Sequence, residues 1–127
     1  MDKQKAIVNA IDFLDGYYNG HGQIEKYIDR LKKSTIRYKT YNPIWIPYKA
    51  STTYGPYYIR LAVDWYDWGN YFIHAANLLH EARHCIQYDI HGTVNFWRRY
   101  LLSPKFRHDM ELDAENFVAG VLGLKKK

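Results

Sequence analysis

Apolar residues recur at helical spacing from the start of the chain. Ala6, Ile7, Ala10, Ile11 and Leu14 share one face, which predicts a helix over Lys3–Leu14 with Asp2 as its N-cap. The glycine-rich run Gly16–Gly22 reads as a loop. A second helix is expected over Gln23–Lys33, with Ile24, Tyr27, Ile28 and Leu31 inward. Between Thr35 and Trp65 the period changes: Pro43, Pro47 and Pro56 interrupt helices, and Tyr, Trp, Ile and Thr dominate. The clearest strand there is Tyr57–Trp65, where Tyr57, Ile59, Leu61, Val63 and Trp65 alternate with Tyr58, Arg60, Ala62 and Asp64. Helical spacing returns over Tyr71–Tyr88, with Phe72, Ala75, Ala76, Leu79, Ala82, Cys85 and Ile86 as a wide apolar stripe. Asp89–Thr93 reads as a loop and Val94–Leu102 as a short helix. Ser103-Pro104 then sets a hydroxyl N-cap before a proline at the first helical position. The last helix is expected to run to about Leu122, with Gly123 as its stop and Met110, Ala114, Phe117, Val118 and Val121 on its core face. Helices on both sides of a short strand region predict one α+β domain over residues 1–127.

Composition narrows this picture. A chain of 127 residues that is 47% hydrophobic and 24% charged fits one globular domain and excludes disordered, collagen-like and coiled-coil classes. No apolar run approaches the roughly 18 residues of a membrane helix, and the N-terminus lacks a signal-type apolar region. The single cysteine, Cys85, excludes an internal disulfide framework and a CxxC zinc site, and reads as a core thiol. The expected location is the cytoplasm, with no membrane partner. The net charge of +5 admits acidic partners, nucleic acid among them, but the basic residues are spread along the chain and that role is not favoured.

The helix over Tyr71–Tyr88 carries His80-Glu81-Ala82-Arg83-His84. Residues four apart stand on one helix face, so His80 and His84 can ligate one metal ion while Glu81, beside them, acts on a water. A zinc hydrolase needs a third protein ligand and an open fourth position. A metzincin would have Gly at position 87 and His at 90, and the chain has Gln87 and Ile90. The better source is the last helix, where Glu111-Leu112-Asp113-Ala114-Glu115 sets two glutamates four apart around a small residue; one can ligate while the other supports.

His80, Glu81 and His84, followed by Glu111, Ala114 and Glu115, resemble the gluzincin metallopeptidases. In length the chain is similar to minigluzincins and to the minimal cores of ImmA/IrrE-type proteases. The matching motifs cover Leu78–Gly120, about a third of the chain. The resemblance implies a zincin-like fold, one Zn²⁺ held by His80, His84 and Glu111, and a ligand histidine supported by Glu115, which stands where the family usually has Asp. It implies peptide-bond hydrolysis, with Glu81 taking a proton from water and returning it to the leaving amine.

Such chemistry needs a further donor for the developing oxyanion. His108, on the line of Glu111 and Glu115, is the first choice, with Tyr88 and Tyr100 as alternatives, and His108 is also a possible competing ligand. Arg83 is expected to pair with a surface carboxylate or a helix end. The Tyr57–Trp65 strand is expected to offer an edge to an extended peptide substrate, with Tyr58, Arg60 and Ala62 shaping its subsites. The competing expectation is a non-catalytic or latent zincin-fold module that binds protein or nucleic acid. Glu81 argues for chemistry, because a purely structural zinc site has no use for a base.

Overall fold

Asp2 caps the first helix: its Oδ1 accepts from the backbone N–H groups of Gln4 (2.8 Å) and Lys5 (3.2 Å), satisfying two donors that a helix start leaves open. In the computed structural model, which describes residues 2–18, 23–40 and 50–123, this helix, α1, spans Lys3–Tyr18. It continues past the expected end because the rings of Tyr17 and Tyr18 pack on Phe13, at centroid distances of 4.6 and 6.5 Å. The rest of the expected loop, 19–22, and the prolines at 43 and 47 lie outside the described residues. There follow α2 (Gln23–Lys33), β1 (Thr35–Tyr38), β2 (Thr52–Gly55), β3 (Tyr58–Leu61), a 3₁₀ turn at Trp65–Asp67, α3 (Tyr71–His91), α4 (Thr93–Leu102) and α5 (Pro104–Leu122). Among the described residues the chain is thus α+β, with five α-helices and one three-stranded sheet.

The strand expected over Tyr57–Trp65 is shorter and differently placed. Only Tyr58–Leu61 is extended, and the chain then turns, with Trp65 N–H bonded to the Ala62 carbonyl at 3.0 Å. The sheet order is β1-β3-β2, with β1 parallel and β2 antiparallel to β3. Both edges of β3 are therefore already paired, so it cannot take up a substrate strand. Alternation reveals which side chains face inward, but not whether a strand lies at the centre or the rim.

One buried cluster joins α1, α2, β3 and α3 through Leu14, Tyr27, Leu31, Ile59, Leu61, Trp65, Leu78 and Leu79. Trp65 stacks on His74 at 4.1 Å, donates from Nε1 to Asn77 Oδ1 at 2.9 Å, and its carbonyl lies 2.7 Å from His74 Nε2. Burial lowers the His74 pKa, so the ring sits in the core as a neutral hydrogen-bonding group. A second cluster, Tyr88, Phe96 and Phe106 with Trp97, Tyr100 and Met110, holds α4 against the ends of α3 and α5. Arg99 lies over Phe106 and Arg107 donates to the Tyr100 carbonyl, so part of the basic surface fastens this corner. Among the described residues no helix is long and apolar enough to cross a membrane.

Candidate metal centre

The two helices that carry the expected ligands are well terminated. Asn70 Oδ1 accepts from Phe72 and Ile73 N–H at the start of α3, and Gly92, at φ 80°, ends it three residues later than expected. Ser103 accepts from Phe106 N–H at the start of α5, and Gly123 ends that helix in the left-handed region at φ 72°. α3 is enclosed by α1, α2, β2, α4 and α5. The small Ala82 and Ala114 on α3 and α5 are fully buried.

Three ligand-type atoms converge between α3 and α5. His84 Nε2 lies 3.1 Å from His80 Nε2 and 3.1 Å from Glu111 Oε1, and His80 Nε2 lies 3.4 Å from Glu111 Oε2. Zinc bonds of about 2.0–2.1 Å at tetrahedral angles set ligand atoms about 3.3 Å apart, so this spacing suits one such ion. Two imidazoles and a carboxylate are also the donor set that Zn²⁺ takes with a position left open. Among the described residues these three form the one His/Cys/Asp/Glu group that could hold a metal ion.

Glu81 is buried beside this group with Oε2 3.9 Å from His80 Nε2, too far to share the tightest positions. Thr53 Oγ1, on β2, lies 3.0 Å from Glu81 Oε1 and 3.2 Å from the Glu81 carbonyl, which fixes the carboxylate's rotation. The group opens on a cleft of about 110 Å³, walled by Ser51, Thr52 and Thr53 on one side and by Phe96, Trp97 and Tyr100 on the other.

The electrostatics follow from this crowding. Burial works to lower the His84 pKa, but Glu111, Glu81 and Gln87 outweigh it and hold the pKa above its ordinary value. Burial works to raise the Glu111 pKa, and the two imidazoles overcome it and hold the carboxyl well below the usual range. A metal must displace the proton from His84, whereas Glu111 is already ionised. Zinc affinity is therefore expected to be full above the raised His84 pKa and to weaken by up to about tenfold per pH unit below it. Competition titrations with a chelating dye across this range check the slope; a flat profile would remove His84 from the ligand set.

Other expected site residues are placed differently. His108 is exposed and does not line the cleft. Tyr88 does line it, but its hydroxyl donates to the Thr53 carbonyl at 2.8 Å, so that proton is already used. Tyr100 reaches the centre, where its hydroxyl donates to Glu111 Oε1 at 3.3 Å, and burial pushes its pKa up to about 12. Tyr58, Arg60 and Ala62 do not line the cleft: Arg60 donates to Tyr58 at 2.6 Å, and Ala62 is fully buried and cannot shape a subsite. The cleft wall comes instead from β2, at the opposite edge of β3 from β1. Glu115, half-buried on α5, is also outside the cleft lining, and the acceptor facing His84 Nδ1 is Gln87 Oε1. Arg83 pairs with Asp113 through Nε (2.7 Å) and Nη2 (3.0 Å), bridging α3 to α5. Cys85 is buried and its thiol is pushed up to about 12, which leaves it a core residue. Thr53 and Trp97 carry no motif; only their neighbours in space mark them.

Comparison with protein-family models gives no match, and comparison with curated proteins and with solved structures gives no significant match either.

Proposed function

We propose that this chain is a small zinc-dependent metallopeptidase with a zincin-like fold, of the gluzincin type. The observation that carries this reading is the convergence of His80, His84 and Glu111 at ligand spacing with the buried carboxylate of Glu81 beside them. Zn²⁺, when bound, supplies a Lewis acid that polarises the peptide carbonyl and the attacking water.

The chain's own groups do the rest. Thr53 holds Glu81 Oε1, leaving Oε2 to orient a water and take its proton, then return it to the departing amine. Tyr100, protonated across the neutral range, is the hydroxyl nearest the centre and replaces His108 as the donor to the developing oxyanion, a role for which it would exchange its longer, 3.3 Å bond to Glu111 Oε1. An extended peptide would lie along the β2 side of the cleft, with its apolar side chains against Phe96 and Trp97.

The test is direct. The purified chain is expected to retain about one equivalent of zinc after dialysis, and to hydrolyse members of a mixed peptide library in a reaction that a chelator stops and zinc restores. Zinc bound with no peptide cleaved would favour the non-catalytic binding module. No divalent metal bound would remove the peptidase reading.

A further inference from the structure

We infer that Gln87, anchored by Asp113 and Arg83, is the positioning residue that keeps the proton of neutral His84 on Nδ1 and so turns the Nε2 lone pair toward the metal. The inference rests on reading His80, His84 and Glu111 as a metal site.

Gln87 Oε1 competes for the single ring proton of neutral His84 with two acceptors on the Nε2 side, Glu111 Oε1 and His80 Nε2. Gln87 Oε1 lies 2.7 Å from Nδ1, and Glu111 Oε1 lies 3.1 Å from Nε2. A proton on Nε2 would sit between the ligand atoms and block the cation. It would also leave the Nδ1 lone pair facing Gln87 Oε1. A proton on Nδ1 leaves the Nε2 lone pair facing Glu111 Oε1 and His80 Nε2 at 3.1 Å, a crowding that a cation between them relieves; the Gln87 acceptor is the closer, at 2.7 Å, and its orientation sets which state the Nδ1 side accepts.

That orientation is set from the far side. Gln87 Nε2 donates to the Met110 carbonyl at 3.0 Å and to Asp113 Oδ2 at 2.9 Å. Reversing the amide would bring its oxygen against both acceptors and its NH₂ against the ring, losing three hydrogen bonds at a residue only 3% exposed. Asp113 is held in turn by the two-pronged contact with Arg83, which donates to both of its carboxylate oxygens. Arg83 is fixed by the Tyr27 hydroxyl on α2 and by its place over the Phe117 ring, at 5.2 Å. The relay Tyr27–Arg83–Asp113–Gln87–His84 thus joins α2, α3 and α5 to one ring nitrogen.

A neutral amide suits the last link. A carboxylate at position 87 would face Asp113 Oδ2 across a hydrogen-bond distance with no proton between them. With glutamine there, the negative charge stays one link back, paired to Arg83, while the ring still receives an acceptor. The support that the motif pattern assigns to Glu115 comes, for His84, from its own helix.

The tautomer is read by long-range ¹H–¹⁵N correlation of the imidazole nitrogens in the ¹⁵N-labelled, zinc-free chain at alkaline pH, where the ring is neutral. Wild type is expected to show His84 protonated on Nδ1. Gln87→Leu removes that acceptor, so the proton is expected to move to Nε2 and zinc affinity to fall about 10–100-fold. Protonation on Nε2 in wild type, or an unchanged tautomer in folded Gln87→Leu, overturns the inference. Should Gln87→Leu not fold, the wild-type spectrum still decides. Because the spectra need no metal, failure of the relay is distinct from failure of the metal reading, which shows as absent zinc binding in wild type.

Discussion

Glu81→Gln is expected to leave zinc bound and to lower the turnover of a cleaved peptide by about 10²–10⁴-fold. The amide has nearly the volume of the carboxylate, and it can still meet Thr53 Oγ1, which lies 3.0 Å from Oε1 in the native chain. It cannot accept a proton from water at neutral pH. The native carboxylate is set back from the ligand atoms, 3.9 Å from His80 Nε2, so its neutralisation should not empty the site. Zinc content by elemental analysis and peptide turnover, measured on one preparation, separate the possibilities. Full turnover in the variant would end the role of Glu81 as base. Loss of zinc together with activity would make it a ligand instead.

His84→Ala and His108→Ala are expected to part company by a wide margin. Removing an outer partner of a zinc ligand costs about 10–100-fold in affinity, and loss of a direct ligand should exceed that. His84 Nε2 stands 3.1 Å from both His80 Nε2 and Glu111 Oε1, so deleting its ring would leave two of the three proposed ligands. His108 is exposed and outside the cleft lining, and its replacement should leave zinc affinity and turnover at wild-type values. Thermal unfolding gives a second readout. Zinc should raise the melting temperature of wild type and of His108→Ala, because binding to the folded state alone stabilises it by mass action. It should do little for His84→Ala. Zinc stabilisation that survives in His84→Ala but vanishes in His108→Ala would reverse the ligand assignment.

The contrast between these histidines shows how much of the site was legible. His80 and His84 are four apart on a strongly patterned helix, and helical geometry alone stacks them. Glu111 needed a second helix at the right distance, and the small Ala114 was a fair sign of close approach. His108 shares a helix line with Glu111 on the wheel, yet a line extends along the helix as well as around it. Three residues toward the N-terminus of α5 carries a side chain out of the cleft. Tyr100, with no motif around it, reaches the centre because Phe96 and Phe106 pin α4 across the mouth.

Local spacing by itself determined the helices, the capping residues Asp2, Ser103 and Gly123, most of the core face and the two histidines with their glutamate, because each depends on residues within a few turns of one another. It could not rank β3 as a central strand, find Thr53 behind Glu81, or link Gln87 to Asp113 and Arg83. The side-chain links from Thr53 to Glu81 and from Asp113 to Gln87 and Arg83 join residues 26 to 30 positions apart that meet only after the sheet, α3 and α5 have packed. The residues proposed as ligands are written in the chain, while the partner on the far side of the His84 ring, Gln87, is set by the neighbours that the closed core brings to it.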